Sequence, residues 1–531
     1  MTPAAATRGR PTALDFATDL LDPDSFRSWD EPIPPNAAPG PYADALAHAR
    51  ARSGSDESVR TGEGRIAGHR IAVLLGEFGF LAGSIGDAAA NRLVAAIRRA
   101  GAERLPLFAS PVSGGTRMQE GTPAFVRMID ITAAIVAHKA AGLPYLVHLR
   151  HPTTGGAFAS WGSLGHVTTA EPGALIGFLG PRVYEALHGA PFPEHVQRAE
   201  NLYRRGVLDA VATTPELRRR TARTLDLLSG ERATTTARTT SAHSGSGPDP
   251  GAAPADRYGS PVQAPPNQRP RPARAPHGVW RSVVRTRRAD RVGLADLLRR
   301  AETLVPLSGT GAGERDDAMR IALARIGGTA CVVVGHDRER AAVGGPVGPG
   351  GLRTARRGMR LAAELGLPLL TVIDTAGAAL TPAAEEGALA GEIARCVADL
   401  GSSPVPTVGL LLGEGAGGAA LALIPAVRRI AAEHAWLAPL PPEGASAIVH
   451  RDTTRAAELA DEQRIGARAL LAAGIVHRVV AEIAGAPGVA EIAGAAGVAE
   501  VAEPGSLAPG DFLDRLGTAI AEEFAQARAA R

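Results

Sequence analysis

The sequence predicts an α/β fold built as two homologous domains in tandem, and three observations carry that reading. The first is a duplication. Leu105-Pro106-Leu107, Gly115, Gly155-Gly156-Ala157 and Ala170-Glu171 recur as Leu367-Pro368-Leu369, Gly377, Gly417-Gly418-Ala419 and Ala432-Glu433, each displaced by 262 positions. Upstream, Arg65-Ile66-Ala67-Gly68 recurs as Arg325-Ile326-Gly327-Gly328, displaced by 260. A pattern that returns at a fixed offset marks one structural unit used twice. The second is the local order within each copy, a short apolar run, a glycine turn, a helical period and another apolar run, which reads as strand, turn, helix, strand with parallel pairing. The third is length: 531 residues give each copy room for its own core.

Along the chain, residues 1–60 form a Pro-, Asp- and Ala-rich arm with a short amphipathic stretch around Tyr42–Ala51. The first repeat spans 61–230. In it Leu105–Ala109 is a buried strand ended by Pro-Val-Ser-Gly-Gly. Phe125, Met128, Ile129, Thr132, Ile135 and Val136 then recur at helical spacing. Tyr145–Leu149 reads as a strand, Pro152–Gly156 as a loop and Ala174–Phe178 as a further strand. Residues 231–276, rich in Ser, Thr, Pro and Gly and without apolar periodicity, read as a flexible linker. The second repeat spans 277–480, with a helical lead-in at Leu294–Leu304, a strand at Leu369–Asp374, a Thr-Ala-Gly turn, a helix through Glu385–Leu400, a strand at Thr407–Leu412 and a loop at Gly413–Gly418. Residues 481–531 comprise a low-complexity spacer with a nine-residue near-repeat (Glu482–Ala490, Glu491–Ala499). A closing amphipathic helix over 508–529 follows, with Phe512, Leu513, Leu516, Ile520 and Phe524 on one face.

Composition excludes several classes. The formal charge is only +3, acidic residues are interspersed with arginine, and no basic stripe with interleaved aromatics marks a nucleic-acid surface. Cys331 and Cys396 stand alone, which excludes a zinc ribbon or a disulfide framework and fits a reducing cytoplasm. The first 21 residues lack a sustained apolar core, so no signal peptide is expected. The longest apolar stretch, Val408–Val427, is broken by Glu414, five glycines and Pro425 and is not a membrane span.

Ser113-Gly114-Gly115-Thr116-Arg117 admits two readings. It is either a tight strand-to-helix turn with Arg117 on the surface, or an amide pocket for an anion with Arg117 pairing with a phosphate. In Thr154-Gly155-Gly156-Ala157, adjacent glycines let consecutive amides converge on one oxygen, the geometry of an oxyanion hole. Gly417-Gly418-Ala419 at the equivalent place favours that reading over two inherited close-approach glycines. There is no Ser-His-Asp set, no G-x-S-x-G elbow, no P-loop and no metal-ligand cluster; His69, His138, His148, His151, His166 and His434 are scattered. The lack of side-chain acid or base candidates points to chemistry driven by a cofactor and stabilised by backbone amides.

These motifs closely resemble the carboxyltransferase of biotin-dependent acyl-CoA carboxylases. SGGTRMQEG, LPYLVHLRHPTTGGAFAS and AEPGALIGFLGPRV are similar to the bacterial β subunit. LGLPLLTVIDTAGA, GEGAGGAALAL and HAWLAPLPPEGASAIVHRD are similar to the α subunit, so the chain resembles a β–α fusion over most of 13–230 and 290–480. The resemblance implies two crotonase-like ββα superhelix domains and transfer of a carboxyl group from carboxybiotin to acetyl-CoA, giving malonyl-CoA. It implies that Gly155 and Gly156 hold the thioester enolate oxygen and Gly417 and Gly418 the ureido oxygen of biotin. Gly114, Gly115 and Arg117 would lie beside CoA, and Gly377, Ala378 and Ala419 on the biotin side. A biotin carrier needs a lysine between methionines. Lys139, the single lysine, has none beside it, so a separate biotin carboxyl carrier protein and a biotin carboxylase are implied partners, along with a homo-oligomer.

The departures are an absent four-cysteine ribbon, Thr375-Ala376-Gly377-Ala378-Ala379 where the family has Thr-Pro-Gly-Ala-Tyr, Val343-Gly344-Gly345-Pro346 for Asn-Phe-Gly-Met, and Gly351-Leu352-Arg353 for Gly-Tyr-Arg. Three of the four fall in the biotin-side half. They motivate a competing reading, a non-catalytic paralogue that scaffolds a carboxylase. A third reading, a crotonase-type hydratase or decarboxylase, needs a positioned acid, for which Glu120 is the nearby candidate.

Overall fold

The computed structural model describes residues 10–33, 40–181, 184–185, 189–239, 278–482 and 509–530. In the first repeat, seven strands form one sheet in the order β1 (Arg27–Ser28), β2 (Val59–Ile66), β3 (His69–Gly76), β4 (Leu107–Ser110), β5 (Tyr145–Leu149), β7 (Val167–Ala170), β9 (Ala210–Val211); β6 (Thr153–Thr154) and β8 (Ile176–Gly177) pair apart from it. In the second, β10 (Thr303–Leu307), β11 (Met319–Ile326), β12 (Thr329–His336), β13 (Leu369–Thr375), β14 (Thr407–Ala416), β15 (Arg428–Ala432) and β17 (Arg478–Val480) follow in order, with β16 (Trp436–Ala438) pairing on β14. The opening hairpin of each sheet is antiparallel and the later pairs are parallel.

The duplication holds residue by residue. β2 and β11 are eight residues long with the same alternation of buried and exposed positions. Leu107 pairs with Tyr145 and Leu369 with Thr407, both pairs displaced by 262. Strand–strand–helix units wind through both halves: β2–β3 leads to the helix Asp87–Ala102 and β5–β6 to the turn Gly155–Phe158. In the second half β11–β12 leads to helices Arg338–Gly344 and Pro349–Leu365. This is the expected ββα superhelix.

One apolar cluster runs through both repeats, from Val59 and Leu74 to Leu516 and Phe524. Helix Gly121–Ala140 of the first half lies against helix Leu389–Gly401 of the second, so the halves share a core rather than merely touching. The expected closing helix is Pro509–Ala529, with Phe512, Leu516, Ile520 and Phe524 buried on β14 and β15. Each such side chain contributes about 1.5–3 kcal/mol of burial.

Several boundaries differ from the sequence expectation. The arm contains a helix, Ala13–Leu20, started by a reciprocal Thr12–Asp15 cap and docked through Phe16 and Leu20. The lead-in helix stops at Arg299, because the chain from Thr303 pairs with β11. The expected helix through Glu385–Leu400 is two helices, Pro382–Glu386 and Leu389–Gly401, broken at Gly387-Ala388, where Ala388 is left-handed (φ 65°). Gly413–Ala416 continues β14 instead of looping, held by β16. Helix Thr214–Thr239 runs into the segment expected to be linker. The rest of that linker and most of the low-complexity spacer lie outside the described residues. Among the described residues, no helix is long and apolar enough to cross a membrane.

Candidate active site

The two Gly-Gly loops share one backbone device. Thr154 and Ala416 are extended, the next residues Gly155 (φ 63°) and Gly417 (φ 62°) are left-handed, and a helix starts at once. Only glycine takes the left-handed step without cost. The amides of the first helical turn have no acceptor within their own helix, so they face outward as donors.

In the first repeat the Gly155 N–H is already used: it donates to the Phe178 carbonyl at 3.0 Å. Of the pair Gly155 and Gly156 expected at the enolate, Gly155 thus has its N–H engaged within the fold. Gly156 and Ala157 are the first-turn donors, and Gly155 supplies the bend. The Gly115 turn abuts this bend so closely that a Cβ on Gly155 would lie 3.1 Å from the Gly115 Cα.

The Ser113 turn is likewise closed on itself. The Gly114 N–H donates to the Ala82 carbonyl (2.8 Å) and that of Gly115 to Ser113 Oγ (3.0 Å). These amides are not free for an anion, so Gly114 and Gly115 contribute close backbone approach and not donors. In the second repeat Gly377 repeats the turn, its N–H donating to Thr375 Oγ1 (3.1 Å). The bridges Ile85–Thr116 and Val347–Ala378 are displaced by the same 262 positions. Gly377 opens on free space, with nothing within 4 Å of where its Cβ would stand.

Arg117 is neither on the surface nor available to a phosphate. It is 1% exposed, and its guanidinium donates to both Glu57 oxygens, to the Ser84 carbonyl at 2.7 Å and to Glu120 at 3.3 Å. Burial works against its charge, yet Glu57, Tyr42 and Glu120 together hold its pKa above the ordinary arginine value. A buried pair of this kind is matched to its own partners, so the assignment of Arg117 to CoA is corrected: it anchors the loop from behind. Glu120 accepts from Tyr42 and from the Asp87 N–H (2.6 Å) as well as from Arg117. Glu120, the acid the hydratase reading needs, is thus committed to partners within the fold.

The second loop is anchored by another carboxylate. Asp374, fully buried, accepts from Arg291 and from the Glu414 N–H (3.2 Å), which ties β13 to the approach to Gly417. Burial pushes the Asp374 carboxyl up, and Arg291 and Arg338 oppose this. Burial also raises Glu414, which Arg287 holds at 3.1 Å.

Two residues the sequence reading passed over join the halves. A Cβ on Gly418 would lie 2.6 Å from the half-buried Phe178 ring and 2.6 Å from Ile393 Cδ1. The Phe178 N–H in turn donates to Glu385 at 2.8 Å. Phe178 stands within the AEPGALIGFLGPRV motif and Glu385 at the start of the expected helix, but neither context signals the contact between them; only the fold brings them together.

The family model described as the carboxyl transferase domain matches residues 4–486. The chain is 56% identical over 465 residues to the probable biotin-dependent acyl-coenzyme A carboxylase beta3 subunit of Mycobacterium tuberculosis, covering 87% of this chain and 88% of that relative. It is 34% identical over 497 residues to the acetyl-coenzyme A carboxylase carboxyl transferase subunits beta/alpha of Salinispora arenicola, covering 91% and 84%. Among solved structures, the beta subunit of P. aeruginosa geranyl-CoA carboxylase aligns over 98% of this chain and 88% of its own, at 17% identity and a TM-score of 0.34. On the family match and the 56% relative, the chain belongs to the carboxyl transferase family of biotin-dependent acyl-CoA carboxylases.

Proposed function

We propose that this chain moves a carboxyl group from carboxybiotin, borne on a separate carrier protein, to acetyl-CoA, giving malonyl-CoA. The observation that carries the reading is the pair of equivalent glycine bends, each feeding first-turn amides and neither bearing a titratable side chain. Carboxybiotin supplies the activated carboxyl group. The chain supplies positions: the Gly156 and Ala157 amides receive the thioester oxygen as negative charge develops on it, and the Gly417 and Gly418 amides receive the ureido oxygen, beside Ala419 and the turn at Gly377 and Ala378, which is open at Gly377. Hydrogen bonds that strengthen as charge develops lower the barrier, and the proton leaving the acyl α-carbon passes to the ureido nitrogen freed of its carboxyl group, so no proton-transferring side chain is needed.

Lys139 donates to the Leu164 carbonyl at 2.7 Å, which suits a structural lysine. A biotin carboxyl carrier protein and a biotin carboxylase are the partners this reading requires, in a cytoplasmic homo-oligomer. The name of the Salinispora relative supports acetyl-CoA as acceptor; the Mycobacterium relative's broader name makes a panel of acyl-CoA thioesters the check on chain length.

A second reading rests on a specific feature. Gly417, Gly418 and Ala419 are buried, whereas Gly155 and Gly156 are partly exposed. A chain that binds the CoA thioester but admits no carrier would be a scaffold for a carboxylase. The deciding measurement mixes purified protein with malonyl-CoA and free biocytin and follows acetyl-CoA formation. Turnover that disappears when Gly418 is enlarged supports transfer. CoA binding without turnover supports the scaffold.

A further inference from the structure

We propose that Glu385 is a positioning residue for this transfer: through Phe178 it sets the acyl-CoA loop and the carrier-side loop against each other. The inference rests on the proposed function for its consequence, but its geometry stands alone. Glu385 lies on helix Pro382–Glu386 of the second repeat and is 6% exposed. Its Oε1 accepts from the Phe178 N–H (2.8 Å), the Leu179 N–H (3.2 Å) and Gln197 Nε2 (2.8 Å), and its Oε2 also lies 3.0 Å from the Phe178 nitrogen. Every donor comes from the first repeat. Among the described residues, no cation faces this carboxylate.

Burying a carboxylate without a cation is costly, and the cost is offset only when several aligned donors meet it. Here they hold one residue that touches both loops. The Phe178 carbonyl accepts the Gly155 N–H (3.0 Å), which fixes the bend that presents Gly156. The Phe178 ring lies on Gly418, together with Ile393. Gln197 doubles the clamp by donating to the Leu179 carbonyl at 2.7 Å. Next door, Glu386 accepts from Asn201 Nδ2 (3.0 Å) and pairs with Arg205 (2.7 Å), so the short helix is seated in the first repeat at a second point. A shift of Glu385 thus moves both amide pairs together.

The test uses the full chain with Glu385→Gln and Phe178→Leu. Amide hydrogen exchange is read over 154–158 and 417–421, with the hairpins 59–76 and 319–336 as internal references, beside the biocytin assay. Glu385→Gln is expected to speed exchange in both loop segments and leave both hairpins at wild-type rates. It is expected to lower kcat/KM about tenfold for each substrate, the size of one charge-assisted hydrogen bond, with Tm unchanged. Phe178→Leu keeps the carbonyl, so it is expected to release 417–421 and leave 154–158 protected. Combined, the two changes should cost less than the product of their separate effects. Unchanged exchange in both loops, or faster exchange everywhere with a fallen Tm, overturns the proposal. If the wild-type chain shows no turnover, the transfer reading fails instead, and the exchange pattern still decides the role of Glu385.

Discussion

In the first repeat, Gly155 and Gly156 lie partly exposed, with the Gly115 turn behind them; in the second, Gly417, Gly418 and Ala419 are buried, Gly418 against Phe178 and Ile393. The backbone bend is the same, to within a degree in φ at its first glycine. What surrounds it has diverged. Positions displaced by 262 pair Thr116 with Ala378 and Arg117 with Ala379, so the second loop lacks both the hydroxyl and the guanidinium of the first. Its anchor is Asp374 with Arg291, where the first repeat has Arg117 with Glu57. Duplication preserved what only glycine can do and left each side-chain support free to be rebuilt.

The largest expected effect comes from filling the glycine cradles unequally. Gly418→Val drives a branched side chain into Phe178 and Ile393, and biocytin-dependent turnover should fall by about 10²-fold or more, the range for losing an oxyanion donor. CoA binding measured by calorimetry should hold. Gly156→Ala meets mainly Thr116 Oγ1, at 2.9 Å. Its loss should be smaller and should be partly relieved by Thr116→Ala, which installs the residue the second repeat already carries. If Thr116→Ala brings no relief, the hydroxyl does not set the width of the first loop and the comparison breaks there.

Second in size is the anchor. Arg117→Met leaves the Glu57 carboxylate buried and unpaired, which costs roughly 3–5 kcal/mol, read as a lower urea midpoint. KM for the CoA thioester should stay near wild type. A raised KM with stability intact would return Arg117 to the phosphate role and undo the contrast between the two anchors.

How much of this was legible follows the same division. The repeats, the bends at Gly155 and Gly417, and the closing helix were readable because φ and amphipathic period are local properties. The Thr12–Asp15 cap was present in the sequence and passed over amid the arm's prolines and aspartates. Arg117 was misread because SGGTR looks the same whether its arginine turns out toward a phosphate or in toward Glu57, sixty residues upstream. Phe178 and Glu385 were invisible, since their meaning lies in a contact across 207 residues.

A third contrast lies in the strand before each bend. His148 is buried in β5, bonded to Thr169 Oγ1 (2.9 Å) and stacked on Phe16, where β14 has Leu410. Burial, with Arg150 adding repulsion, holds its pKa down to about 3 from 6.5. The unfolded chain therefore binds the extra proton between those values. This contribution to stability is complete above pH 6.5 and is lost as pH falls toward 3, at about 1.4 kcal/mol per unit. Denaturant midpoints at pH 7 and pH 5 should show wild type losing about 2 kcal/mol more than His148→Leu. Equal losses would mean that this imidazole does not titrate against folding.

The smallest effect concerns the hairpin turns, and it separates backbone strain from side-chain contact. Ala67 (φ 50°) and Gly327 (φ 55°) occupy equivalent left-handed positions. In the first repeat, Asp22 receives the Ala67 and Gly68 N–H groups at 3.0 and 2.8 Å and leaves room for a methyl group. In the second, the closing helix crosses the turn so tightly that a Cβ on Gly327 would collide with the Gly517 carbonyl. Ala67→Gly removes left-handed strain worth about 1 kcal/mol and should raise the denaturant midpoint by the part left over after the added freedom of the unfolded chain, about 0.4–1 kcal/mol. Gly327→Ala adds that strain and a backbone collision together, so its loss should exceed the gain from Ala67→Gly. Effects equal in size and opposite in sign would mean that the closing helix shifts aside freely, and that the second hairpin carries glycine for its φ alone.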